Sequence, residues 1–167
     1  MMKMRPTFES KRELITLCHT CGIGKDSIVV EIGSYAGESS EVFAVIAGTV
    51  YCIDPWIPGS IGGIVEAESK FDDMVMGHSN IRKCKISSVK YAMMVPDNSV
   101  DLVYIDGNHD EESVREDILS WMPKVKKGCW ISGHDYNSNY PELVSVVNEI
   151  LGKPDHTFEY FSWEKKL

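Results

Sequence analysis

Apolar and polar positions along this chain switch repeatedly between two periods. Short apolar runs read as strands at Ile28–Ile32, Thr49–Asp54, Asn80–Cys84, Ser99–Ile105 and Gly128–Gly133. Helical spacing lies between them: about Thr7–Cys21, Gly37–Ala47, Ile64–Met76, Val89–Val95, Asp110–Trp121 and Pro141–Leu151. Acidic residues open the helix at Asp110 and Pro123 closes it, while Pro141 suits a first helical turn. The tail, His156–Trp163, alternates and predicts one or two short final strands. Strands alternating with helices predict an α/β fold: a doubly wound, mainly parallel sheet with helices on both faces. At 167 residues the chain suits a single domain, 1–167, with 1–25 as an N-terminal helical segment.

The turn after the first strand carries the chemistry. Glu31 nears the end of the run, Gly33 and Gly37 follow four apart, and Glu38-Ser39-Ser40 can start a helix. A strand, a tight glycine turn and a helix N-terminus let a nucleotide-like ligand approach the backbone closely. Asp54 closes the second strand 23 residues after Glu31, where an acid can hold ribose hydroxyls. The spacing also excludes cofactors. Gly33-x-x-x-Gly37 is not the dinucleotide G-x-G-x-x-G, and Gly24-Lys25-Asp26 is no phosphate loop. None of the seven tyrosines has Lys four positions on, as a short-chain dehydrogenase requires.

Composition narrows the partners. A net charge of −8 repels phosphate backbones and no Lys/Arg cluster stands against it, so no nucleic-acid partner is expected. No apolar run reaches ten residues, whereas a membrane-spanning helix takes about 20. Met1–Pro6 is charged but lacks an apolar core after it, so the expectation is a cytoplasmic protein without a signal peptide or membrane partner. The five cysteines read as thiols, with Cys52, Cys84 and Cys129 as small buried residues in or beside strands. Cys18-x-x-Cys21 has no second metal pair and lies at a helix end marked by Gly22, so it reads as structural.

Four acids, Glu31, Asp54, Asp106 and Asp135, fall at or just after strand ends, the rim where doubly wound sheets bind ligands. Asp106 and Asp135 follow what should be neighbouring strands, about 5 Å apart. Two carboxylates that close chelate a divalent cation, share a proton, or hydrogen-bond cofactor or substrate; alternatively one caps a helix and the other faces solvent.

Three segments, VVEIGSYAGESS, DLVYIDGNHD and KVKKGCWISGHDY, give the chain a resemblance to the class I S-adenosylmethionine (SAM) methyltransferases. Within that class they are similar to catechol O-methyltransferase and, in "IDG-x-H" and "GHDY", to macrolide-sugar O-methyltransferases. The resemblance implies a Rossmann-like fold binding SAM. Glu31, Gly33, Tyr35, Gly37 and Ser39 would hold its methionine end, Asp54 the ribose, and Ser87 and Ser88 would lie near the adenine. It also implies that Asp106 and Asp135 hold a metal such as Mg2+. Two positions depart from the catechol enzyme: Tyr136 stands where its third ligand, an asparagine, would be, and His109 where its catalytic lysine would be. At an ordinary pKa near 6.5, His109 could accept a hydroxyl proton directly, replace the missing ligand, or simply begin a surface helix. His134 beside Asp135 could ligate, orient it or fill space.

The expected activity is methyl transfer from SAM to a hydroxyl oxygen of a small polyhydroxylated molecule, with His109 and Asp106 as catalytic residues. In-line placement supplies much of the acceleration and a cation at Asp106/Asp135 assists. The Pro55–Gly63 loop, with Trp56 and Ile57 reading as exposed, would be a lid or a contact in a homo-oligomer. The alternatives are N-methylation and a catalytically silent SAM-binding module; a nicotinamide oxidoreductase ranks below both.

Overall fold

The computed structural model describes residues 8–57 and 64–167. Along the chain run α1 (Phe8–Thr20), β1 (Ile28–Ile32), α2 (Glu38–Ile46), β2 (Thr49–Ile53), α3 (Ile64–Val75), β3 (Ile81–Cys84) and α4 (Ser88–Ala92). Then come β4 (Val100–Ile105), α5 (Glu111–Trp121), β5 (Val125–Gly133), α6 (Pro141–Leu151), β6 (His156–Thr157) and β7 (Trp163–Lys166). The sheet order is β3-β2-β1-β4-β5-β7-β6, parallel from β3 to β5, with β7 antiparallel to β5 and to β6. The strand order reverses between β1 and β4, which puts the ligand crevice beyond their carboxyl ends.

Both sheet faces are covered, which is why the strands read as continuous apolar runs. Val29, Val50, Cys52 and Leu102 pack with α1, α2 and Phe71 of α3. Val30, Ile32, Val103 and Ile131 pack on the other face with α5, α6 and Ala92 of α4.

Three sequence expectations change. Strand β5 begins at Val125, not Gly128, and its register with β4 slips between Val100↔Val125 and Leu102↔Trp130. Lys126–Cys129 bulge there, with Gly128 at φ 80° and Lys126 ion-paired to Asp101. The tail makes two strands, and the later one inserts between β5 and β6 because antiparallel pairing with β5 satisfies Trp163–Lys166. Trp56 is buried at 1 % exposure rather than exposed, its indole N–H donating to the Tyr35 carbonyl at 2.8 Å. Ile57 is exposed, and Pro58–Gly63 of the expected lid lie outside the described residues.

All five cysteines are free. Cys18 and Cys52 are buried, while Cys84 and Cys129 are half-buried, because they sit at a strand end and in the bulge. Burial and the nearby Glu164 carboxylate push the Cys18 thiol up to about 12, which suits a structural thiol. No helix among the described residues is long and apolar enough to cross a membrane.

Candidate active site

Three backbone hydrogen bonds align the rim. Gly33 donates to the Ile53 carbonyl at 2.8 Å, Asp106 to Ile32 at 2.8 Å and His134 to Ile105 at 3.0 Å. The residues just past β1, β4 and β5 therefore stand side by side, about 4.8 Å per strand. Gly33 is required by this closeness: a Cβ there would lie 2.2 Å from the Asp106 carbonyl oxygen.

Past Gly33 the chain turns through positive φ at Gly33 (85°), Tyr35 (48°) and Gly37 (88°) before entering α2. Asp54 holds this turn from the neighbouring strand: its Oδ2 accepts from the Tyr35 N–H at 3.0 Å and its Oδ1 from the Trp56 N–H at 2.7 Å. Each carboxylate oxygen has two acceptor directions, so both can still receive ribose hydroxyls.

Glu31 lies beneath the turn. It is fully buried, and its two carboxylate oxygens accept from the Ser39 and Ser40 hydroxyls in the first turn of α2. Burial raises its pKa, and the hydroxyls only partly offset this. Glu31 and Ser39 thus tie β1 to the helix start and shape the loop from beneath. Ser87 occupies the N-cap position of α4. The Ser88 hydroxyl accepts from the Trp121 indole at 2.7 Å, so it faces α5. Nearby Asp117, buried in α5, has its pKa raised to about 6 by burial against a weaker hydrogen bond from Ser88.

Asp106, His134 and Asp135 bring one ligand-type atom each to within 4.8 Å of one another. Asp135 adopts φ 60°, a left-handed conformation that Asp tolerates better than most residues. His134 Nδ1 lies 3.4 Å from Asp135 Oδ1 and 3.9 Å from Asp106 Oδ1. From the start of the α5 loop His109 Nε2 reaches 3.0 Å from Asp135 Oδ2 and 3.8 Å from Asp106 Oδ1. The Tyr140 ring covers the imidazole at a centroid distance of 4.6 Å.

Two carboxylates facing two imidazoles set the protonation. The Asp106 and Asp135 carboxylates raise His109 to about 9 against its burial. Burial lowers His134, yet Asp135 and Asp106 outweigh it and the net shift is upward. Burial pushes Asp135 up, and the two imidazoles more than reverse that, holding it well below the usual carboxylate range. The two carboxylates therefore favour the protonated form of His109. Its charge answers the carboxylates.

Tyr136, at the position of the missing third ligand, points away and donates to Asn148 Oδ1 at 2.9 Å. His134 stands in the cluster instead. Its adjacency to Asp135 was the only sequence signal, and the positive φ of Asp135 that swings both side chains inward is not written in residue types. The donor set of two carboxylates and an imidazole suits a hard divalent cation such as Mg2+ or Mn2+.

A family profile described as "Methyltransferase domain" matches residues 30–136, the span from the glycine turn through the acid–imidazole cluster. The chain belongs to this methyltransferase family. Among curated proteins, uncharacterized protein y4gI of Sinorhizobium fredii is 27% identical over 116 residues, covering 64% of this chain and 13% of that protein. The chain thus spans about an eighth of that relative's length. Solved structures share the class I methyltransferase fold. CalS11, a TDP-rhamnose 3′-O-methyltransferase of calicheamicin biosynthesis, matches with a TM-score of 0.70 at 12% identity over 96% of this chain and 80% of its own. The N-methyltransferase NodS of Bradyrhizobium japonicum matches at 0.67 and 14% identity over 95% and 94%. The tRNA (m1A58) methyltransferase TrmI of Aquifex aeolicus matches at 0.68 and 11% over 100% and 72%. Methyltransferases with oxygen, nitrogen and RNA acceptors thus share this architecture.

Proposed function

We propose that this chain transfers the methyl group of SAM to a hydroxyl of a small polyhydroxylated molecule, assisted by a divalent cation. One observation carries the reading: the Asp106/His134/Asp135 cluster stands on the same rim as the Gly33–Gly37 turn, one and two strands away. Cofactor and acceptor chemistry then meet at one crevice.

The bound SAM supplies an electrophilic methyl on a sulfonium. Gly33 and Gly37 let the backbone approach it, Asp54 accepts from its ribose hydroxyls, and Tyr35 shapes the turn beside its methionine end. Glu31 and Ser39 act from beneath by fixing the start of α2. Ser87, at the N-cap of α4, and Ser88, whose hydroxyl faces α5, would lie on the adenine side.

The groups fit a cation. Asp106, Asp135 and His134 would hold it, and it would acidify and orient the acceptor hydroxyl. A dication held by Asp106 and Asp135 would offset the negative field that raises the His109 pKa. His109 would take the hydroxyl proton, with Asp135 Oδ2 at 3.0 Å orienting its imidazole.

The net charge of −8 favours a small acceptor over RNA. The test is release of S-adenosylhomocysteine (SAH) from SAM in a screen of sugars, catechols and other polyols, run with Mg2+ and with chelator. Turnover of a hydroxyl acceptor lost in chelator supports the reading. Turnover of amines alone, or full activity in chelator, contradicts it.

A further inference from the structure

We propose that Trp56 is a positioning residue for the cofactor loop, clamping Tyr35 in its left-handed conformation from the end of the neighbouring strand; this rests on reading the Gly33–Gly37 turn as the SAM site. Tyr35, at φ 48°, is a side-chain-bearing residue in a region L residues rarely adopt. Its two backbone polar groups are both held by one short segment. The N–H donates to Asp54 Oδ2 at 3.0 Å, and the carbonyl accepts from the Trp56 indole Nε1–H at 2.8 Å.

The same segment locks itself. The Trp56 backbone N–H donates to Asp54 Oδ1 at 2.7 Å, so the carboxylate that would meet the ribose is oriented by Trp56 from one side and Tyr35 from the other. Trp56 also has positive φ, 41°, which turns its indole back under the glycine loop instead of out to solvent.

Packing from α3 fixes the indole. The Phe71 ring lies 4.9 Å from the Trp56 ring at 55°, and Lys83 Nζ sits 4.9 Å over its face. Phe71 and Met74 of α3 also press on Gly37, where a Cβ would meet Met74 Cε at 2.2 Å and Phe71 at 3.1 Å. One helix therefore braces the far end of the glycine turn and the indole that pins its middle. Filling the core needs only an aromatic ring of that size; the indole N–H serves the loop.

The experiment separates ring from N–H. Trp56→Phe keeps an aromatic ring without the donor. Replacing Trp56 with 3-benzothienylalanine keeps the bicyclic shape and exchanges N–H for sulfur, and 5-fluorotryptophan retains the N–H as the rescue. SAH affinity by calorimetry and hydrogen exchange of the Tyr35 amide in ligand-free protein are the readouts. One hydrogen bond of about 1 kcal/mol corresponds to roughly fivefold to tenfold. The donor-less variants should therefore weaken SAH by about that factor and speed Tyr35 exchange comparably, with 5-fluorotryptophan restoring both. If Trp56→Phe fails to fold, the benzothienyl variant carries the test. Affinity within twofold of wild type, or unchanged Tyr35 exchange, overturns the clamp. If wild-type protein binds no SAH, the SAM reading fails, and the exchange rate alone then decides whether Trp56 holds Tyr35.

Discussion

His109 Nε2 stands 3.0 Å from Asp135 Oδ2, so the histidine four residues past β4 is ion-paired to the acid two residues past β5. Chain segments 26 residues apart are joined at the reacting end of the rim. The pair links the protonation of His109 to the charge on Asp135.

His109→Gln should keep SAH binding within about twofold while lowering methyl transfer by roughly 10²–10⁴, the usual contribution of a positioned acid–base group. Calorimetry and a SAH-release assay check the two halves. Undiminished turnover would remove His109 from the mechanism.

Asp106, His134 and Asp135 should bind Mn2+, and Asp135→Asn or Asp106→Asn should weaken it by tenfold or more, since each removes an anionic oxygen ligand. Paramagnetic resonance of free Mn2+ measures this without any acceptor. Equal Mn2+ binding by wild type and both variants contradicts a metal site there.

Asp117 gives a pH prediction away from the cluster. Its folded pKa of about 6 lies above the ordinary 3.8, so the fold favours its neutral form. That favourable contribution is fully present below pH 3.8 and is lost as pH rises through about 6. Asp117→Asn, keeping an amide beside Ser88, should raise stability above pH 7 by an amount on the order of 1–3 kcal/mol. The gain should vanish near pH 4. Urea titrations at pH 4, 6 and 8 test it, and a gain independent of pH refutes the burial argument.

Gly33→Ala should be among the most damaging single substitutions. The added Cβ meets backbone at 2.2 Å, between strands that cannot part, and φ 85° is strained for alanine. A loss of several kcal/mol is expected, read as a collapse of the melting temperature. A melting temperature within a few degrees of wild type contradicts the close β1–β4 approach.

The sheet and its rim were legible because parallel strands buried on both faces leave continuous apolar runs, and because Glu31, Asp54, Asp106 and Asp135 punctuate their ends. Three things were not legible. Strand order at the tail depends on which edge Trp163–Lys166 finds, and its alternation does not encode that. Trp56 beside two prolines reads as loop, yet an indole donor with a carbonyl in reach is drawn inward. The turn from His134 to Asp135 needs a positive φ at a non-glycine residue, which the residue type does not announce.

Calorimetric titration of SAH into wild-type protein and Asp54→Ala tests the central claim most directly. The rim pocket predicts micromolar binding to wild type and no detectable binding to the variant, whose loop loses the Tyr35 and Trp56 anchors together with the ribose acceptor. Absence of binding to wild type, or equal binding to both proteins, would contradict it.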